Sequence, residues 1–106
     1  MSERVSDIRE TISCFREEID SLDSQLLSIF NRRASLALEI GRIKKILDLP
    51  VYDPSREKRI FERMKSDNPG PLDDGAVVRL FERVIDESRR LERIMTHSED
   101  NAGKEQ

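Results

Sequence analysis

Apolar residues recur every seven positions through the first part of the chain, at Ile12, Ile19, Leu26, Ile40 and Leu47. Phe15, Leu22, Ile29 and Ile43 stand three residues after the first four members, and Leu36 three residues after position 33, the one place the repeat skips. From Val5 to Leu47 there is no proline and a single glycine, Gly41, so the pattern predicts one helix of roughly 40 residues, about 60 Å long at 1.5 Å per residue. One position breaks the stripe. Arg33 stands where a leucine or isoleucine belongs, and a cation there is costly unless something anionic meets it.

Two shorter helices follow. Asp53-Pro54 is an N-cap and first-turn pair opening a segment to about Lys65, with Ile60, Phe61 and Met64 apolar. The run Asn68-Pro69-Gly70-Pro71 is a hard break, after which Asp73 or Asp74 can cap a third helix reaching about Thr96. The third stripe reads Val77, Leu80, Phe81, Val84, Ile85, Ser88, Leu91, Glu92, Met95. The reading is all-α, with three helices per chain, one of them very long. Two short helices folded back along such a rod leave parts of its seam uncovered, which predicts pairing between chains: a helical homodimer with little folded monomer. Residues 1–96 form the helical domain, and 97–106 a polar tail expected to be disordered.

Composition sharpens this. With 106 residues, 36% hydrophobic and 39% charged, one chain can barely build a core alone, which again favours sharing one. A net charge of −3 with acids interspersed among the bases argues against nucleic acid as a partner, because a duplex binder needs an uncompensated basic face. Cys14 stands alone, excluding an internal disulfide, and one Cys with one His gives no zinc cluster. Glu3, Arg4, Asp7, Arg9 and Glu10 leave no apolar run at the start, so neither a signal peptide nor a membrane span is expected there, and a cytoplasmic location is the default.

Several polar residues fall on or beside the stripes. Lys44 lies eleven residues after Arg33, close to three full turns, so both project from nearly one face with Cα atoms about 16 Å apart and could grip a small anion. Arg16 lies about 25 Å from Arg33 along the same helix, so any site it serves belongs to a partner chain. Ser88 and Glu92 sit one turn apart where core residues are expected. Asp53, Arg56 and Glu57 open the second helix. Taken singly, each has an ordinary reading: Arg33 as a register-setting polar residue, Lys44 and Arg16 as seam-edge charges, Arg56-Glu57 as helix surface, Asp53 as a cap, Ser88 and Glu92 as a partly exposed seam. Gly41 costs about 1 kcal/mol in mid-helix, which favours a close approach by a helix or ligand. Taken together they describe a pocket rich in fixed cations, with one or two carboxyls and no nucleophile or metal set. Such a pocket suits a small dicarboxylate and works by positioning and electrostatics.

The run Phe15-Arg-Glu-Glu-Ile-Asp-Ser-Leu-Asp23, with Leu26-Leu27, Arg33-x-x-Leu36, Ile40-Gly41-x-x-Lys44, Pro50-Val51-x-Asp53, Arg56-Glu57 and the Leu80-Phe81 to Ser88 segment, resembles the all-helical, AroQ-type chorismate mutases. The resemblance covers roughly Ile12 to Met95. It implies an intertwined homodimer with two equivalent sites, each completed by an arginine of the other chain, here Arg16. The implied reaction is the unimolecular Claisen rearrangement of chorismate to prephenate, with no cofactor. By the same resemblance, Arg33 and the partner's Arg16 bind the two substrate carboxylates. Lys44 donates to the ether oxygen, and Arg56 reinforces the cationic wall. Asp53 (through its backbone) and Glu57 hold the ring hydroxyl, Ser88 touches the ring carboxylate, and Ile40 and Ile85 shape the chair-like conformer.

Two positions depart from the commonest family pattern. Glu92 stands where many members carry a glutamine as second donor to the ether oxygen. A carboxylate cannot donate, so Glu92 must be protonated for that role. Burial would raise its pKa, whereas Lys44 and the arginines would lower it. Arg89 stands where a small apolar residue often flanks the pocket, and either points to solvent or narrows the site. The alternatives are a lyase on the same fold that eliminates pyruvate from isochorismate, a non-catalytic module that binds chorismate or prephenate and regulates a partner enzyme, and a purely structural coiled coil.

Overall fold

The computed structural model describes the backbone of residues 2–104 and the side chains of residues 4–96. Three helices account for nearly all of it: α1 Ser2–Ile46, α2 Pro54–Asp67 and α3 Asp74–Lys104, with no strand among the described residues. The chain divides into two units, Met1–Arg33 and Ala34–Gln106.

The first unit is a single stretch of α1. Every side chain from Arg4 to Arg32 is exposed within the chain, including the apolar stripe; Phe15 is 60% exposed and Ile19 53%. Arg33, at its end, is half-buried.

The second unit holds the last turns of α1 together with α2 and α3. Helix α1 stops in a Schellman arrangement: the Leu49 amide donates to the Lys44 carbonyl at 2.7 Å and the Asp48 amide to the Lys45 carbonyl at 3.2 Å. Asp48, between them, is left-handed at φ 55°, a conformation that aspartate tolerates better than most residues. Helix α2 opens as expected, with the Asp53 side chain accepting from the Arg56 amide at 3.0 Å and Pro54 in the first turn. The break before α3 is organised by Asn68, whose Nδ2 donates to the Leu72 carbonyl and to Asp74 Oδ1, while its Oδ1 accepts from the Gly70 amide. Gly70 takes φ 76°, which only glycine adopts freely. Of the two candidate caps of α3, Asp73 does the work, accepting from the Ala76 amide at 2.7 Å.

Helix α2 packs on α3. Ile60 and Val77 are the buried apolar side chains among the described residues, and Phe61, Met64, Phe81, Val84, Ile85, Leu91 and Met95 are half-buried along the same two helices. The third helix runs on past Thr96. It continues through 97–104, the segment expected to be a disordered tail. That stretch contains no proline and meets its first glycine only at Gly103, so the sequence supplies no stop signal before that point. Residues 105–106 lie outside the described residues.

Candidate active site

The second unit gathers most of the predicted site residues. Gly41 is buried in α1, and a Cβ built on it would lie 3.3 Å from each of Cγ, Cδ and Oε2 of Glu92. The mid-helix glycine therefore marks a close approach, and what approaches is the carboxyl-bearing side chain of α3. Lys44 follows Gly41 by three residues, so the two lie on adjacent turns of one face. It is half-buried, with Nζ 3.4 Å from the Val51 carbonyl.

Glu92 is half-buried, and burial holds its pKa above the ordinary carboxylate value. Lys44 and Arg89 pull in the other direction without overcoming it. These are the opposed effects anticipated from the sequence, and desolvation prevails. Ser88, one turn before Glu92, is buried and engaged, and no buried side-chain polar atom among the described residues lacks a hydrogen-bond partner.

From α2 come Asp53 and Glu57, both half-buried, and Arg56, which is exposed. Asp53 spends its side chain on the cap, and its carbonyl accepts the Glu57 amide at 3.1 Å. Glu57 carries a partner that the sequence reading did not name: Arg89 Nη2 donates to its Oε1 at 2.7 Å. Arg89 also lies 3.4 Å from Asp86 and stacks with its Cζ 4.9 Å from the centre of the Tyr52 ring. Its side chain is 30% exposed and that of Glu57 20%. Arg89 therefore turns towards α2 and the 47–53 connector, not to solvent. The sequence did hold a signal for this. Arg89 adjoins Ser88 and precedes Glu92 by three residues, which puts it at the edge of the same helix face.

Ile85 is half-buried in α3, whereas Ile40 on α1 is 54% exposed. Arg16 and Arg33 belong to the first unit, Arg16 exposed and Arg33 half-buried and engaged. No group of three or more His, Cys, Asp or Glu among the described residues could hold a metal ion, and no described helix is long and apolar enough to cross a membrane.

A family model described as chorismate mutase type II matches residues 15–93. The chain is 38% identical over 89 residues to a bifunctional chorismate mutase/prephenate dehydratase of Neisseria gonorrhoeae, an alignment covering 84% of this chain and 24% of that protein. It thus spans about a quarter of the length of this bifunctional relative. With a chorismate mutase of Methanocaldococcus jannaschii it shares 29% identity over 96 residues, covering 90% of this chain and 97% of the relative. Among solved structures, a chorismate mutase of Thermus thermophilus superposes with a TM-score of 0.76 at 35% identity, covering 77% of this chain and 93% of that one. A family match over most of the chain and a solved relative of the same fold at 35% identity agree, and this chain belongs to the type II chorismate mutases.

Proposed function

We propose that this protein converts chorismate to prephenate at two equivalent sites of an intertwined homodimer in the cytoplasm. The observation that carries the reading is the Gly41–Glu92 contact beside Lys44: a carboxyl group held against bare backbone, in surroundings that favour its neutral form. The rearrangement is intramolecular. The ether C–O bond breaks as the new C–C bond forms, no atom leaves, and the enzyme's task is to hold the reactive conformer and stabilise negative charge growing on the ether oxygen. Lys44 and a neutral Glu92 are the two donors to that oxygen. Arg33 and Arg16 of the partner subunit take the two carboxylates as bidentate forks. Arg56 adds positive charge at the rim, Asp53 and Glu57 receive the ring hydroxyl, Ser88 meets the ring carboxylate, and Ile40 and Ile85 wall the chair.

Dimerisation draws support from the first unit. Every side chain from Arg4 to Arg32 is exposed, whereas most helical stability in proteins comes from burying an amphipathic face. The unit's apolar stripe from Ile12 to Ile29 is the surface a second copy would cover.

The test has two parts. Purified protein given chorismate should form prephenate; pyruvate release from isochorismate without prephenate formation would favour the lyase, and binding without turnover a regulatory module. Chains carrying Arg16→Ala and chains carrying Lys44→Ala, each nearly inactive alone, should regain about a quarter of wild-type activity when refolded together, because half of the twofold-symmetric dimers would then hold one intact site of two. No recovery in the mixture would contradict sharing between chains.

A further inference from the structure

Arg89 is held from three sides. It meets Glu57 of α2 at 2.7 Å, the Tyr52 ring in the connector at 4.9 Å and Asp86 of its own helix at 3.4 Å. The short contact is the one to Glu57, and the guanidinium plane restricts the directions from which a carboxylate can approach it. One oxygen of Glu57 is thereby engaged, and Oε2 remains to accept a further donor.

We infer that Arg89 is a positioning and specificity-determining residue, which clamps the Glu57 carboxylate so that Oε2 receives the substrate's ring hydroxyl from one direction only. The inference rests on the mutase reading proposed above. A clamped acceptor loses little freedom when the hydroxyl arrives, so the clamp contributes to substrate affinity. Since the hydroxyl takes no part in bond making or breaking, its contact is about equal in ground and transition states, and losing the clamp raises KM more than it lowers kcat.

Arg89 has a second, opposing influence. The charged groups bearing on Glu92 are Lys44 from α1 and Arg89 from its own helix, with Glu57 of α2 and Asp86 lying on the far end of the Arg89 pair. The positive charge of Arg89 disfavours the neutral form of Glu92. Removing it extends activity to higher pH, and a lysine in its place does not.

The experiment is steady-state kinetics on chorismate from pH 5 to 8 for wild type, Arg89→Met and Arg89→Lys, with circular dichroism to check folding. Arg89→Met should raise KM about tenfold, the loss of one charge-assisted hydrogen bond, with a smaller change in kcat at low pH. Its kcat profile should shift to higher pH, while that of Arg89→Lys stays with wild type. In an Arg89→Met/Glu57→Gln cycle the KM effects should be less than additive. A folded Arg89→Met protein with wild-type KM and an unshifted profile overturns the inference. Should that variant fail to fold, Arg89→Gln carries the same expectations and the same overturning result. Absence of turnover in the wild type would instead sink the mutase reading, so the two failures are distinct.

Discussion

Replacing Gly41 by alanine should separate stability from catalysis. A methyl group at this position meets three atoms of Glu92 at 3.3 Å, closer than ordinary van der Waals contact between carbon atoms, so the carboxyl group must retreat by a few tenths of an ångström. Two effects on stability oppose each other. Alanine is favoured over glycine in a helix interior by about 1 kcal/mol, and pushing the Glu92 side chain off its rotamer costs about 0.5–1.5 kcal/mol. Net stability should therefore change by no more than about 1 kcal/mol in either direction. Catalysis has no such offset. A displacement of 1 Å in a catalytic group can cost a hundredfold in rate, so a few tenths should lower kcat by about tenfold. Thermal unfolding and kcat for chorismate, measured on the same preparations, give both quantities. On a Glu92→Ala background the same substitution has no carboxyl to displace and should leave kcat unchanged. A folded Gly41→Ala protein with wild-type kcat would refute the idea that this glycine seats Glu92.

Two further expectations concern stability. Because Glu92 has a raised pKa in the folded chain, the folded state holds the proton more tightly than the unfolded one. The associated stability is present in full below the unfolded pKa and lost as pH rises through the folded one. Chemical denaturation at pH 5 and pH 8 should therefore show Glu92→Gln gaining on wild type at the higher pH; an equal difference at both would contradict the shift. Asp48 ends α1 with a left-handed backbone, so Asp48→Gly should raise stability by about 0.5–1 kcal/mol. Circular dichroism melts would show this as a higher Tm, and a lower one would mean that the aspartate makes a compensating interaction.

The helices were legible because each signal is local. A seven-residue repeat, an Asp-Pro cap and an Asn-Pro-Gly-Pro break act within a few residues, and tertiary packing did not override them. Asp48 illustrates a limit: its left-handed turn closes the helix as a glycine would, but its side chain does not announce it. Beyond Thr96 the sequence offers polar residues with no helix-interrupting residue before Gly103, and α3 runs on to Lys104. Within the site, Gly41 was legible as a close approach although its neighbour was not, and the direction of the Glu92 shift depended on how far desolvation outweighed two cations, a quantity set by packing. The Arg89–Glu57 pair joins residues 32 apart on two helices. No short-range pattern encodes such a contact, and only the packing of α2 on α3 brings it about.

The most direct test of the central claim is kcat for chorismate conversion from pH 5 to 8, with the product identified, for wild type beside Glu92→Gln. Prephenate formation that climbs in the wild type as pH falls towards 5 and stays level in Glu92→Gln is the predicted result, because glutamine donates at every pH. No conversion, or a wild-type profile as flat as that of the variant, would contradict catalysis through a protonated Glu92.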